Sequence, residues 1–424
     1  MSAIPKPASV KGDMKWFVES RFGMFIHWGL YALPARHEWI KQYEEIPDEV
    51  YDRYFKFFEP DLFDPKSWAR MAREAGMKYF VITTKHHEGF CLFDSKFTDY
   101  KATNTPCGKD LIKEVVDAFR AEGLRAGFYY SLIDWHHPDF PIDALHSMRN
   151  HPGAKKLNRS RDMAKYREYL LNQVRELLTN YGRIDIMWFD FSYPRAKLGD
   201  LGGKGRDDWG SEKILKLVRE LQPHVIVDNR LDLPAAKADI HTPEQFQPRE
   251  WVTVNGKPVH WETCQTFSGS WGYHRDESTW KSPEQLIQML VNSVSCGGNL
   301  LMNVGPTARG TFDPRAQDAL AVYRDWMALH GRSIYGCTQS EFAAPDHCRL
   351  TQNGKRLYVH LFAWPFRHLH FDGMADKVEY AQLLNDASEI HFKKDANSAR
   401  KTLILELPVK KPAVVAPVLE LFLK

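Results

Sequence analysis

Six short apolar runs recur along the chain, each ending in polar or ionisable side chains: FGMFIHWG (22–29), YFVITTKHHE (79–88), RAGFYYS (125–131), IDIMWFD (184–190), HVIVDNR (224–230) and NLLMNVGP (299–306). Between them lie helix candidates with start and stop signals. DPKSWARMAREAG opens on Asp64 and closes on Gly76, DLIKEVVDAFRAEG closes on Gly123, and RDMAKYREYLLNQVRELLTNYG follows the third run. Runs that are apolar throughout read as parallel strands covered on both faces. Their alternation with helices over about 330 residues predicts a TIM-type (β/α)8-like barrel in preference to an open sheet. No G-x-G-x-x-G follows the first run, so a dinucleotide-binding fold loses its main support.

After HGRSIYG the pattern changes. RLTQNGKRLYVHLF is two alternating runs around Asn353-Gly354, a strong hairpin signal, and KVEYAQLL, SEIHFKK, TLILELP and VLELFL continue as strands. The predicted division is a catalytic (β/α) barrel over residues 1–335 and a small C-terminal all-β sandwich over 336–424. The Gly-rich LGDLGGKGRDDWG (198–210) reads as a mobile loop after the fourth strand.

A formal charge of +3 on 424 residues, without a block of like charges, argues against nucleic acid and anionic membrane as partners. No run approaches a membrane span, and MSAIPKPASVKGDMKWF lacks the apolar core of a secretion signal, which points to a cytoplasmic location for the chain as written. The six cysteines lie far apart with no C-x-x-C pair, so they read as reduced, mostly buried thiols. Aromatic content is high, with 13 Trp, which fits either dense core packing or flat faces for stacking sugars.

In a barrel, ligands bind at the carboxyl ends of the strands. The runs deliver His27 and Trp28, then His86, His87 and Glu88, then Tyr129 and Tyr130, Asp190, and Asn229 with Arg230 to that end. So many polar groups beside a core need a ligand or each other, because leaving them unpaired costs free energy. Asp190 follows a mostly apolar strand and precedes Phe191; it either caps the next turn or emerges at the mouth as a nucleophile or electrostatic stabiliser. Glu244 in DIHTPEQF and Glu262 in HWETC, both after the fifth run, are the two carboxyls available for acid/base work. Adjacent strand residues point to opposite faces, so His86 and His87 do not readily chelate one metal, and the only H-x-H, His368 to His370, falls in the β domain. No G-x-S-x-G elbow supports acyl transfer.

RFGMFIHWGLYALPARHEW, KYFVITTKHHEGFCLFDSKFTDY, GFYYSLIDWH, DIMWFD, WETCQTFSGSWGY and SCGGNLLMNVGPTARGTF together resemble α-L-fucosidases of glycoside hydrolase family 29, from about Trp16 to Gly336. The resemblance implies a TIM-like barrel with a C-terminal β-sandwich. It also implies retaining hydrolysis of α-L-fucosides through a covalent fucosyl-enzyme, with no metal or organic cofactor. Carried over by motif, Asp190 corresponds to the nucleophile. His27, Glu38, Trp39, His86, His87, Tyr129 and Arg230 correspond to fucose-binding groups, and Trp271 to an aromatic residue under the sugar's methyl side. The acid/base is Glu244 by its place after Arg230, with Glu262 second. Phe191 departs from the glycine of many relatives and narrows the expected pocket. The implied partner is a fucosylated glycan or oligosaccharide substrate; homo-oligomer formation stays open. The rival readings are another specificity on the same barrel, such as α-galactosidase, and a non-catalytic carbohydrate-binding protein.

Overall fold

In a computed structural model, which describes residues 4–395, 397 and 399–424, the six apolar runs all become strands. With one further strand they form β1 (Phe22–Ile26), β2 (Tyr79–Lys85), β3 (Arg125–Ser131), β4 (Ile186–Asp190), β5 (Ile226–Val227), β6 (Glu262–Thr266) and β7 (Asn299–Val304). All pair in parallel, in the order β6-β7-β1-β2-β3-β4-β5. β2, for example, is buried along its whole length, as a strand covered on both faces must be.

The seam between β5 and β6 is closed by an irregular stave, residues 239–245. It forms parallel bridges Asp228–Ile240, His241–Trp261 and Glu244–Cys264. Cys264 N donates to Pro243 O at 3.1 Å and Gln245 N to Cys264 O at 3.0 Å. The result is a TIM-like barrel. Its helices are α1 (Pro65–Glu74), α2 (Leu111–Ala121), α3 (Met163–Asn180), α4 (Ser211–Leu221), α5 (Pro283–Ser295) and α6 (Pro314–His330). Asp64, Asp110 and Asp162 accept backbone N–H bonds at the starts of α1, α2 and α3, which satisfies donors that have no partner within the helix.

Three expectations are corrected. Strand–helix alternation breaks between residues 228 and 261, where the only helical pieces are the 3₁₀ turns Asn229–Leu231 and Ala235–Lys237. Pro234, Pro243, Pro248 and Pro258 fall in that stretch and deprive a helix of its donors. Strand β6, ETCQT, has no apolar run because its outward side chains are polar: Thr263 Oγ1 and Gln265 Nε2 donate to Phe246 O at 2.8 and 3.2 Å. The Gly-rich stretch is not a free loop. Lys197–Leu198 and Leu201–Gly202 form a small ribbon, and Lys204 is buried against Asp143 at 2.6 Å.

Beyond α6 the pairing becomes antiparallel. A five-stranded sheet (338–339, 348–353, 356–361, 418–423, 378–383) and a three-stranded sheet (368–371, 402–406, 392–395) share one core, with Leu350, Val359, Leu419 and Leu421 from the first meeting Phe371, Leu403 and Leu405 from the second. Gly354, at φ +55°, makes the turn of the predicted hairpin. Among the described residues no helix is long and apolar enough to cross a membrane, and all six cysteines are free.

Candidate active site

Strand geometry determines which side chains reach the mouth. Asp190 is the last residue of β4, and the turn after it places Phe191 at φ +80°, a conformation glycine adopts freely and phenylalanine does not. After β2 the turn at Gly89 (φ +85°) closes with Gly89 N donating to His86 O at 3.0 Å, so His86 and His87 both leave the strand ladder. Their rings lie 4.0 Å apart. Lys85 and Glu88, which flank the pair, serve the scaffold. Lys85 Nζ is buried on Asp134 at 3.1 Å, and Glu88 accepts from Leu30 N at 2.9 Å and from the Tyr51 hydroxyl.

A small cavity opens at the mouth. His27, Glu38, Trp39, His86, His87, Tyr129, Asp190, Glu244 and Trp271 all line it. Arg230 bonds two of these from beneath. Trp28, Glu88, Tyr130 and Asn229, which the runs also carry to the strand ends, do not line the cavity, and of the catalytic candidates Glu262 is the one not brought there. It is the first residue of β6, paired with Asn299 at the start of β7, while Asp190 ends β4. In a parallel barrel those are opposite ends, and β6 climbs about 13 Å from Glu262 to its last residue. Glu262 is fully buried there and accepts from the Tyr79 hydroxyl. The sequence put it after a strand; it begins one.

The charge arrangement is compact. Arg230 Nη1 lies 3.1 Å from Asp190 Oδ1 and Nη2 2.9 Å from Glu244 Oε2, so one guanidinium spans both carboxylates. Thr242 fixes the fork from behind: its Oγ1 accepts from Nε at 3.0 Å and its carbonyl from Nη2 at 3.2 Å. The guanidinium carbon stands 4.7 Å over the Trp188 ring. Tyr129 hydroxyl donates to Asp190 Oδ2 at 2.6 Å. Burial pushes Asp190 up to about 6; Arg230 opposes this and the Glu244 charge adds to it. Burial works against the charge on Arg230, but Asp190 and Glu244 outweigh it and hold it cationic.

The histidines are neutral. Burial lowers His27 to about 3 and carries His86 and His87 well below their ordinary range. Their tautomers follow from their partners. Asn303 Nδ2 donates to Trp271 O, so its Oδ1, 2.7 Å from His27 Nδ1, accepts, and His27 carries its proton on Nδ1. Ser131 donates to Ile133 O, so His87 Nδ1, at 2.7 Å from Ser131 Oγ, is likewise the donor. His87 Nε2 is then a free acceptor 3.9 Å from Asp190 Oδ2, placed to receive a hydroxyl proton. Glu38 ties the opposite wall together, its Oε2 accepting from Trp271 N at 3.2 Å and Gly272 N at 2.9 Å.

Asn303, Ser131 and Thr242 are the supporting residues that sequence reasoning missed. Asn303 and Ser131 carried signals, a polar residue inside LLMNV and the polar end of RAGFYYS; Thr242 had none. Among the described residues no group of three or more His, Cys, Asp or Glu side chains could hold a metal ion.

Comparison with known proteins bears on the family. A family model described as Alpha-L-fucosidase matches residues 5–332. The structure of α-L-fucosidase isoenzyme 1 from Paenibacillus thiaminolyticus is 45% identical, with a TM-score of 0.91 over 97% of this chain and 99% of that one. A GH29 α-L-fucosidase from Bacteroides thetaiotaomicron, solved as a trapped covalent intermediate with 2-fluoro-fucosyl fluoride, is 29% identical with a TM-score of 0.84 over all of both chains. The human plasma α-L-fucosidase is 30% identical over 384 residues, 82% of this chain and 76% of that protein.

Proposed function

The chain belongs to the α-L-fucosidase family of glycoside hydrolases, and from that premise we propose that it releases terminal α-L-fucosyl residues from oligosaccharides or glycoconjugates by a retaining mechanism, with Asp190 as nucleophile and Glu244 as acid/base. The observation that carries this reading is the Arg230 fork, which holds these two carboxyl groups at one small pocket. Retaining enzymes need such a pair close together, about 5 to 5.5 Å apart, with no room for a water between sugar and nucleophile.

In the first step an Asp190 oxygen attacks the anomeric carbon while Glu244 gives its proton to the departing glycosidic oxygen. In the second, Glu244 takes a proton from water, whose oxygen displaces Asp190 and frees fucose. Arg230 and the Tyr129 hydroxyl hold the nucleophile ionised and aimed; burial, together with the Asp190 charge, keeps Tyr129 a phenol, so it remains a donor. His27, His86 and His87 receive or donate hydrogen bonds at the fucose hydroxyls, and Trp271, 5.1 Å from His27 ring to ring, supplies an apolar face. The trapped intermediate of the Bacteroides relative supports the covalent step here.

The proposed division into a catalytic barrel over 1–335 and a β-sandwich over 336–424 is supported by the change to antiparallel pairing that begins at Thr338. Six free thiols favour a reducing compartment, in keeping with a cytoplasmic enzyme.

The test is a pair of variants assayed on an aryl α-L-fucoside. Asp190→Ala should keep its circular dichroism spectrum and lose several powers of ten in kcat; near-normal turnover would overturn the assignment. Glu244→Ala should be slowed least on substrates with good leaving groups and be accelerated by azide, which needs no general base. If azide does nothing for it, Glu244 is not the acid/base.

A further inference from the structure

A continuous run of rings leads from the nucleophile to solvent. Phe191, next to Asp190, has its ring 5.4 Å from Trp39; Trp39 lies 6.0 Å from Tyr43 in a stacked arrangement, and Tyr43 stacks on His37 at 5.2 Å. Phe191 and Trp39 line the cavity, whereas Tyr43 stands outside it with 63% of its surface exposed. Exposed aromatic surface continuous with a pocket wall calls for an occupant that the small pocket does not itself hold.

The backbone beneath these rings is held in unfavourable conformations. Of the twelve non-glycine residues at positive φ among the described residues, Ala35 (+55°), His37 (+128°) and Glu45 (+48°) bracket the ring run, and Phe191 (+80°) begins it. Such conformations persist where surrounding contacts impose them, and they concentrate at ligand clamps. Here the contacts are the bridge between Arg36 and His274 and the bond from Arg275 N to Ala35 O at 3.1 Å. The two residues that follow Tyr43 in the chain are charged and engaged. Arg36 forks onto Glu44 at 2.9 and 2.8 Å, and Glu45 meets Asn150 and Arg149. An exposed aromatic ring continuous with a sugar pocket matches a pyranose, which presents apolar C–H faces and an equatorial belt of hydroxyls. A peptide or lipid surface would need a wider apolar patch.

We propose that Phe191, Trp39 and Tyr43 form the binding wall for the leaving group, and that the sugar unit to which fucose is attached stacks its C–H face on Tyr43. The inference rests on the fucosidase reading and specifies its substrate class: fucose linked to another sugar ring, in preference to fucose on a small aglycone. Tyr43 is a positioning residue for that ring; it touches no reacting atom.

The test compares kcat/KM for a fucosylated trisaccharide with that for α-L-fucosyl fluoride, whose leaving group cannot stack. In Tyr43→Ala the ratio of the two should fall about tenfold, the size of one lost stacking contact. Tyr43→Phe, which keeps the ring, should hold the ratio within about twofold, and product inhibition by the defucosylated disaccharide should weaken only in the alanine variant. An unchanged ratio in Tyr43→Ala, or equal losses on both substrates, overturns the proposal. If the unaltered enzyme cleaves neither substrate, the fucosidase reading itself has failed and this wall with it.

Discussion

Glu262→Gln separates the two carboxyl candidates by stability as well as by rate. Burial pushes Glu262 up to about 8, with the Tyr79 hydroxyl and the Trp188 indole pulling the other way. Its ordinary value is 4.5. The native state therefore holds a proton that the unfolded chain gives up between those values, and stability falls as pH rises across that window. Each pH unit is worth about 1.4 kcal/mol, so the full loss is roughly 4 to 5 kcal/mol, reached once pH exceeds the folded value. Glutamine has nearly the shape of the protonated acid and can still accept from Tyr79, but it has no proton to lose. Melting temperatures of both forms near pH 5 and near pH 9 give the comparison. The two should melt alike at the acid end, and the variant should be more stable by several degrees at the alkaline end. On an aryl α-L-fucoside at neutral pH the variant should keep kcat/KM within about threefold, because Glu262 lies at the far end of the barrel. A stability difference that ignores pH would refute the buried-acid argument. A loss of several powers of ten, restored by azide, would make Glu262 the acid/base after all.

Two more outcomes follow from the same charges. Arg230→Gln removes the cation that holds Asp190 down against burial and the Glu244 charge, so the acidic limb of kcat/KM against pH, near 6 in the unaltered enzyme, should move up by about one unit or more as overall activity drops. A limb that stays in place would mean that another group sets it. Lys85→Met strands the Asp134 carboxylate in a fully buried site, which should cost about 3 to 5 kcal/mol in urea unfolding. Lys85→Met combined with Asp134→Leu should recover part of it, and failure to do so would assign the loss to packing.

The strand ends were legible because a buried parallel strand has nowhere to put a polar side chain except its tip. IDIMWFD therefore announced Asp190, and YFVITTKHHE announced the histidine pair. The same rule has no way to read phase. HWETC also joins polar residues to an apolar neighbour, yet Glu262 pairs with Asn299 where both strands begin, and the register that decides this is a contact between segments 37 residues apart. Glu244 was legible only as one of two carboxyls after the fifth run, since its stave is irregular and interrupted by Pro243; resemblance to a family pattern is what ranked it ahead of Glu262. Ser131 stood at a strand tip without showing its role, and Thr242 was hidden altogether, for a related reason: a hydroxyl that orients a histidine or an arginine is chosen by three-dimensional reach, not by periodicity.

The sequence also showed two histidines without showing their charge, and the charge matters to the chemistry. His87 Nε2 is 3.9 Å from Asp190 Oδ2. Protonated, it would add a second cation beside Arg230 and draw on the lone pair that Asp190 must use to attack. Burial, with the charge of Lys85 adding to it, holds His87 neutral. The buried ammonium of Lys85 thus acts at a distance. It sits behind the pocket on Asp134, never reaches the cavity, and still opposes a charge on the imidazole that faces the nucleophile. The run TTKHHE places a fixed charge one step before two imidazoles that must not acquire one.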